Sequence, residues 1–201
     1  MKDCPTVLNP PSGVSEAGQV IREEEDFSIE HVFDKYDNGD VELKKLLDSI
    51  FYEHGRIRPH ERILCWFPKY LEFYSNTYDK VIGNSANDRG VLKLNQKLYL
   101  GIMAVSCYNC EYLLKILEEQ FVLNGGDLEW ITEGLKKVDP RLSKFAELNE
   151  IMAFRPWSIS PSTIEKLMIN DEKGKGWNAE QLISCATVLA FFHGLCSFVQ
   201  G

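Results

Sequence analysis

The most constraining feature of the sequence is the uncharged run "LISCATVLAFFHGLCSFV", from Leu182 to Val199. Eighteen residues without a formal charge need an apolar environment on nearly every side, and this length is at the threshold for a membrane-spanning helix. The run also contains Ser184, Thr187 and His193 and lacks basic flanks, which favours a helix buried in protein. We therefore predict a central core helix and no membrane span, with a membrane anchor as the alternative.

Apolar residues recur at helical spacing along the rest of the chain, and no credible alternating strand pattern occurs. One such face comprises Leu43, Leu46, Leu47 and Ile50, and another comprises Cys110, Leu113, Leu114, Leu117 and Phe121. Pro68 and Pro140 are placed to begin helices, and Asp127 and Asn178 can cap two more. Gly125 can take the positive φ that ends a helix. The pattern predicts an all-α protein.

Composition narrows the functional class. An apolar content of 44% is typical of a globular protein, and a formal charge of −8 argues against a nucleic-acid surface. Six cysteines in 201 residues are too dilute for a disulfide scaffold, so we interpret them as reduced thiols. The first residues lack the apolar run of a secretory signal. These features predict an intracellular protein with a flexible acidic leader over residues 1–27 and a helical domain over residues 28–201.

Several strings together carry a family resemblance. They are "YLGIMAVSCYNCEYLL", "NGGDLEW", "LNEIMAFRPWSI", "WNAEQLISC" and "HGLCSFV", with "ILCWFPKYLEFY" upstream. In order and spacing they resemble the N-terminal domain of the sestrins, from about residue 45 to the C-terminus. The combination is specific because separate strings fall in register over most of the chain.

The resemblance implies a helical fold like that of alkylhydroperoxidase D and carboxymuconolactone decarboxylase. It also implies a stress-induced protein of the cytoplasm, with the nucleus as a second location, which restrains the TOR complex through components of the GATOR complex. The N-terminal domain of sestrins is associated with reduction of alkyl hydroperoxides and with suppression of reactive oxygen species. The chain ends at "SFVQG", where the linker to the leucine-binding second domain of sestrins begins. Leucine sensing is therefore expected of none of these residues.

The resemblance also carries a candidate catalytic site. The proposed peroxidase site of the family is a Cys, a Tyr two residues later and a His seven residues after the Cys. Cys110 and Tyr112 match the first two positions, but Leu117 occupies the third. A peroxidatic thiol must ionise, and a nearby base helps to remove its proton. Since leucine cannot accept a proton, we expect peroxidase activity to be weak or absent.

The surroundings of Cys110 point in both directions. If Asn109 caps a new helix, Cys110 lies at its positive end, which stabilises a thiolate. The neighbouring Glu111 and the apolar face of the helix disfavour a thiolate. Cys107 is a candidate resolving thiol, since residues three apart are neighbours on a helix. The alternative is that both cysteines are small apolar residues of the core.

Other motifs are weaker. Cys185 and Cys196 are eleven residues apart without a second ligand pair, so neither a metal site nor a cofactor is predicted. His193 is expected to be a hydrogen-bonded core residue, with a return towards Cys110 as the alternative. Trp157 of "RPWSI" is expected to pack at a structural corner, with a partner contact as the alternative. Trp177 is a secondary candidate for an exposed interaction.

The sequence thus supports one main hypothesis and two alternatives. The main hypothesis is a sestrin-like domain that acts through protein contacts in stress and nutrient signalling. The first alternative is a thiol peroxidase with Cys110 as the nucleophile, Tyr112 as its hydrogen-bonding partner and Cys107 as the resolving thiol. The second is a domain that only packs against another domain or subunit, for example by self-association.

Overall fold

The computed structural model describes residues 41–83, 91–170 and 176–201. Every regular element in these ranges is helical, and no strand occurs in them. The all-α class is therefore confirmed, and the alkylhydroperoxidase-like arrangement is compatible with it. The leader expected over residues 1–27 lies outside the described residues, and the domain limits at 27 and 28 stay predictions.

The helices follow one another through short connections. They are α1 (Val41–His54), α2 (Pro59–Leu64), α3 (Pro68–Val81), α4 (Leu94–Ser106), α5 (Glu111–Leu123), α6 (Leu128–Thr132), α7 (Pro140–Ser143), α8 (Phe145–Phe154), α9 (Pro161–Met168) and α10 (Ala179–Gln200). Two 3₁₀ turns, Gly134–Lys136 and Pro156–Ser158, lie before α7 and before α9.

The chain divides into two compact units within α3, between Glu72 and Phe73. Each unit has its own apolar core. The core of the first unit comprises Leu43, Leu47, Ile50, Cys65 and Leu71. The core of the second unit draws on α4, α5, α8 and α10, and every candidate site residue from the sequence belongs to this unit.

The centre of the second unit is the contact between α4 and α10. Helix α4 is buried continuously from Lys97 to Val105. At Gly101 the two helices approach closely, because a Cβ placed there would come within 2.6 Å of Cε2 of Phe192. The absence of a side chain at Gly101 is therefore what lets α10 lie against α4.

Local signals place most helix ends as predicted. The Asp127 carboxylate accepts a hydrogen bond from the Glu129 N–H at 2.9 Å, and Asn178 Oδ1 accepts one from the Gln181 N–H at 2.8 Å. Gly125 takes a φ of +74° after α5. The segment that begins at Pro140, which the pattern predicts as one helix, is instead divided at Lys144 into α7 and α8.

Helix α10 is long and apolar enough to span a membrane, by length and composition. In this structure it carries one buried face, formed by Leu182, Cys185, Val188, Leu189, Phe192, His193, Leu195 and Cys196. A core helix passes the same test of length and composition. The expected absence of a membrane span stays a prediction.

Candidate functional site

The two cysteines of the Cys-x-x-Cys motif lie on either side of a tight reversal between α4 and α5. Cys107 is the C-cap of α4 and Cys110 is the N-cap of α5. Between them, Asn109 has a φ of +51°, a backbone conformation that asparagine tolerates better than most residues. The Glu111 N–H donates to the Asn109 carbonyl oxygen at 3.0 Å.

This reversal corrects two expectations. Cys107 and Cys110 do not lie on one helix, so the three-residue spacing does not make them helical neighbours. Asn109 is not the cap of α5, because Cys110 occupies the N-cap position and its side chain makes no capping hydrogen bond. Cys110 still lies at the N-terminal end of the helix, as the resemblance to the family site requires.

The half-buried Cys107 is held by α8. Asn149 Nδ2 donates to the Cys107 sulfur at 3.1 Å and to the Met103 carbonyl oxygen at 2.9 Å. The Cys107 thiol itself donates to that carbonyl oxygen at 3.6 Å. Burial raises the pKa of Cys107, although the hydrogen bond from Asn149 acts in the opposite direction. Cys107 is therefore a thiol at neutral pH.

The position of the family histidine is deep in the core. Cys110 is 5% exposed and Leu117 is 2% exposed. Tyr112 is partly buried and packs against the same core. No proton acceptor is available at position 117, and the site roles of Cys110, Tyr112 and Cys107 stay predictions.

Helix α10 supplies an imidazole that the sequence does not place. The ring of His193 packs edge-on against the ring of Tyr108, with centroids 5.4 Å apart. Both ring nitrogens are buried, and neither has a hydrogen-bond partner. Burial lowers the pKa of His193, so the ring is neutral at pH 7. The expected burial of His193 is thus observed, but the expected hydrogen bond is not.

Tyr108 joins this imidazole to the reversal. Its hydroxyl donates to the Ala153 carbonyl oxygen at 3.5 Å, and its carbonyl oxygen accepts from Gln200 Nε2 at 2.9 Å. Burial is the main cause that raises the pKa of Tyr108, and the thiols of Cys107 and Cys196 add to it. Tyr108 is therefore surrounded by groups from α4, α8 and α10.

Cys196 is the residue at this place that sequence reasoning missed. It is fully buried on α10, one turn after His193. Burial raises its pKa to about 12, with smaller contributions from Cys110, by charge and by a hydrogen bond, and from Cys107. The only sequence signal for this proximity was the spacing His193-x-x-Cys196, which puts both residues on one helix face. We call Cys107, Cys110 and Cys196 the thiol cluster.

The thiol cluster and His193 are not arranged as metal ligands. No three His, Cys, Asp or Glu side chains within the described ranges are placed to hold one ion. The chemistry available at this place is that of neutral thiols, a phenol and a neutral imidazole. All of these groups are held in a largely apolar setting.

The two tryptophans of interest reverse their expected roles. Trp157, expected to pack, is 81% exposed, because the 3₁₀ turn after Pro156 directs it away from the core. Trp177, considered for an exposed contact, is 2% exposed. Its Nε1–H donates to the Arg141 carbonyl oxygen at 2.9 Å, and its ring lies edge-on to Phe145 and 4.2 Å from the Arg141 guanidinium carbon.

Comparison with known proteins gives a consistent result. Residues 24–201 match the model of a family described as PA26 p53-induced protein (sestrin). The chain is 31% identical over 163 residues to a sestrin homolog of Dictyostelium discoideum, a match that covers 81% of this chain and 26% of that protein. It is 30% identical over 162 residues to Sestrin-1 of Mus musculus, which covers 81% of this chain and 32% of that protein.

A third relative, Sestrin-2 of Mus musculus, is 35% identical over 147 residues, which covers 73% of this chain and 29% of that protein. The chain therefore spans about a quarter to a third of the length of these curated relatives.

Proposed function

Because the chain belongs to the sestrin family of stress-response proteins, we propose that it is a regulator that restrains TOR complex signalling by contacting components of the GATOR complex. It also takes part in regulating the response to reactive oxygen species. It works in the cytoplasm, with the nucleus as a second location. The mechanism is stoichiometric binding and not turnover.

The burial of Cys110 supports binding over turnover. A thiol peroxidase needs a thiolate that its substrate can reach and a base that removes the proton. Cys110 is 5% exposed, and Leu117 stands in the position of the family histidine. Neither requirement is met on the helix that carries Cys110.

The observation that carries the proposal is the exposed apolar corner from Phe154 to Ile159, which we call the Trp157 corner. Phe154 is 53% exposed, Trp157 81% and Ile159 40%. Arg155 between them is exposed as well and makes an ion pair with Glu150 at 3.8 Å. Tryptophan and arginine are enriched among the residues that dominate protein interfaces, so this corner is the surface on which we place the partner contact.

Capture of GATOR components by the immobilised 201-residue chain tests the proposal. We expect Trp157→Ala to lose capture. The matched control is Leu123→Ala, since Leu123 is an apolar residue of similar exposure (76%) at the end of α5. Equal capture by Trp157→Ala and the wild type would move the contact away from the corner. Failure of the wild type to capture any GATOR component would overturn the proposal itself.

A second function, reduction of alkyl hydroperoxides at Cys110, is favoured by one observation. The core around Cys110 contains a neutral imidazole, His193, whose ring nitrogens are unpartnered. Consumption of an organic hydroperoxide under turnover conditions, compared between the wild type and Cys110→Ser, separates the two functions. A sustained rate that the substitution removes would establish the enzyme.

A further inference from the structure

The thiol cluster brings together residues that are distant in sequence. Cys110 lies at the start of α5 and Cys196 near the end of α10, and both belong to the same buried core. Their thiols are close enough to share a hydrogen bond and to influence each other by charge. The Cys107 sulfur, by contrast, is engaged with Asn149 and with the Met103 carbonyl oxygen.

An unpartnered imidazole accompanies the two thiols. His193 is 8% exposed, and its Nδ1 and Nε2 atoms have no hydrogen-bond partner. Leaving a buried polar group unsatisfied costs about 1–3 kcal/mol, so a core with no chemical role favours an apolar side chain at this position. On α10 His193 precedes Cys196 by three residues, which places the two side chains on one face of the helix.

We propose that Cys110 and Cys196 are a redox pair that closes to a disulfide when a hydroperoxide oxidises the thiol cluster, with His193 as the neighbouring proton acceptor. The pair ties the N-terminus of α5 to α10. This inference goes beyond the proposed function, because it depends neither on GATOR binding nor on catalytic turnover.

The chemistry proceeds in two balanced steps. The Cys110 sulfur attacks the hydroperoxide, so that an S–O bond forms while the O–O bond breaks. Cys110 becomes a sulfenic acid, and the alcohol leaves with the proton that the thiol lost. The Cys196 sulfur then attacks the sulfenic sulfur, the S–S bond forms, and the hydroxyl leaves as water with the proton of Cys196. Two thiols lose two electrons in total and the hydroperoxide gains them.

The second step explains why a base belongs beside Cys196. Its pKa of about 12 means that Cys196 is a thiol at neutral pH, whereas the thiolate is the nucleophile in disulfide formation. A neutral imidazole on the same helix face can take up the proton as the sulfur attacks. The low exposure of Cys110 limits entry of the oxidant, so we expect a slow, stoichiometric oxidation.

The test is a peptide map of the reduced 201-residue chain after treatment with hydrogen peroxide and blocking of the remaining thiols. We expect a peptide pair linked between Cys110 and Cys196. In Cys196→Ala the linked pair is lost and the sulfenic acid of Cys110 accumulates, detected as its dimedone adduct. The matched control is Cys185→Ala, which alters an equally buried cysteine of α10 and keeps the link.

Two results would overturn the inference. One is a link between Cys107 and Cys110 in place of the expected pair, and the other is complete oxidation of Cys110 without any link to Cys196. The map of the wild type decides this even if Cys196→Ala does not fold. Failure of hydroperoxide turnover leaves this result intact, so the inference and the second proposed function fail separately.

The role of His193 has its own measurement. In His193→Gln we expect disulfide formation to slow at neutral pH and to recover at alkaline pH, where Cys196 ionises without help. A role limited to packing would change the melting temperature but leave the shape of the pH profile as in the wild type. An unchanged profile in a folded His193→Gln protein would remove His193 from the proposal.

Discussion

The imidazole of His193 packs edge-on against the phenol ring of Tyr108, with ring centroids 5.4 Å apart, and neither imidazole nitrogen has a hydrogen-bond partner. Burial lowers the pKa of His193 below its ordinary value of 6.5. The folded protein therefore keeps this ring neutral in a pH range where the unfolded chain protonates it.

Replacement of His193 by phenylalanine tests this relationship. At neutral pH we expect a free energy of unfolding within about 1 kcal/mol of the wild type, because no hydrogen bond is lost and an unsatisfied polar group is removed. Below about pH 6.5 the unfolded wild type binds more protons than the folded form, so its stability decreases as the pH falls. The phenylalanine variant lacks this contribution.

The variant should therefore gain stability relative to the wild type between about pH 7.5 and pH 5, as measured by urea unfolding. His54 and His60, whose pKa values fall to about 4 mainly through burial, contribute the same slope to both proteins. Parallel pH curves for the two proteins would show that His193 does not contribute.

The close approach of α4 and α10 predicts a strong effect of one methyl group. Gly101→Ala places a Cβ within 2.6 Å of the Phe192 ring, and overpacking of this kind costs about 1–3 kcal/mol. Thermal unfolding measures the loss, and the double variant with Phe192→Leu should recover part of it. Gly194→Ala is the matched control: its added Cβ meets no atom within 4 Å, and this change should stabilise α10 by about 0.5–1 kcal/mol. Equal effects at the two glycines would contradict the packing argument.

Introducing the family histidine at position 117 should not restore a peroxidase. Leu117 is 2% exposed, and an imidazole buried there without a partner costs about 1–3 kcal/mol. Residues seven apart on a helix are separated by about 10 Å along the axis. We expect Leu117→His to lower the melting temperature and to leave the hydroperoxide consumption rate at the wild-type level. A large gain in rate that depends on Cys110 would show that only the missing base limits catalysis.

The two tryptophans should differ sharply in their contribution to stability. Trp177→Ala removes a 2% exposed ring and should cost about 3–5 kcal/mol. Trp157→Ala alters an 81% exposed ring and should change the free energy of unfolding by no more than about 0.5 kcal/mol. Denaturant titrations of both variants provide the comparison. A large loss of stability in Trp157→Ala would indicate that the Trp157 corner is packed in solution.

Helix boundaries were predictable because their causes are local. The Asn178 cap depends on a bond to Gln181 three residues later, and the turn after α5 depends on the positive φ of Gly125. The division at Lys144 was not predictable from the pattern, since the apolar spacing from Leu142 to Phe145 satisfies one continuous helix as well as two.

The candidate site was only partly predictable for a related reason. Cys110 and Tyr112 follow from the resemblance, and the missing base follows from reading Leu117 in the sequence. The reversal at Asn109, the hydrogen bond from Asn149 to Cys107 and the position of His193 against Tyr108 all depend on distant segments. Composition and local spacing carry no information about such contacts.

The amino-acid sequence by itself determined the all-α class, the family and most helix ends, because each follows from periodicity, caps or strings of neighbouring residues. Only the tertiary structure decided that Trp177 is buried and Trp157 exposed, and that Cys110 lies beside Cys196 and not on one helix with Cys107. The physical reason is that a side chain's burial and partners depend on which helices pack together. Here the approach of α10 to α4 at Gly101 decides which side chains meet.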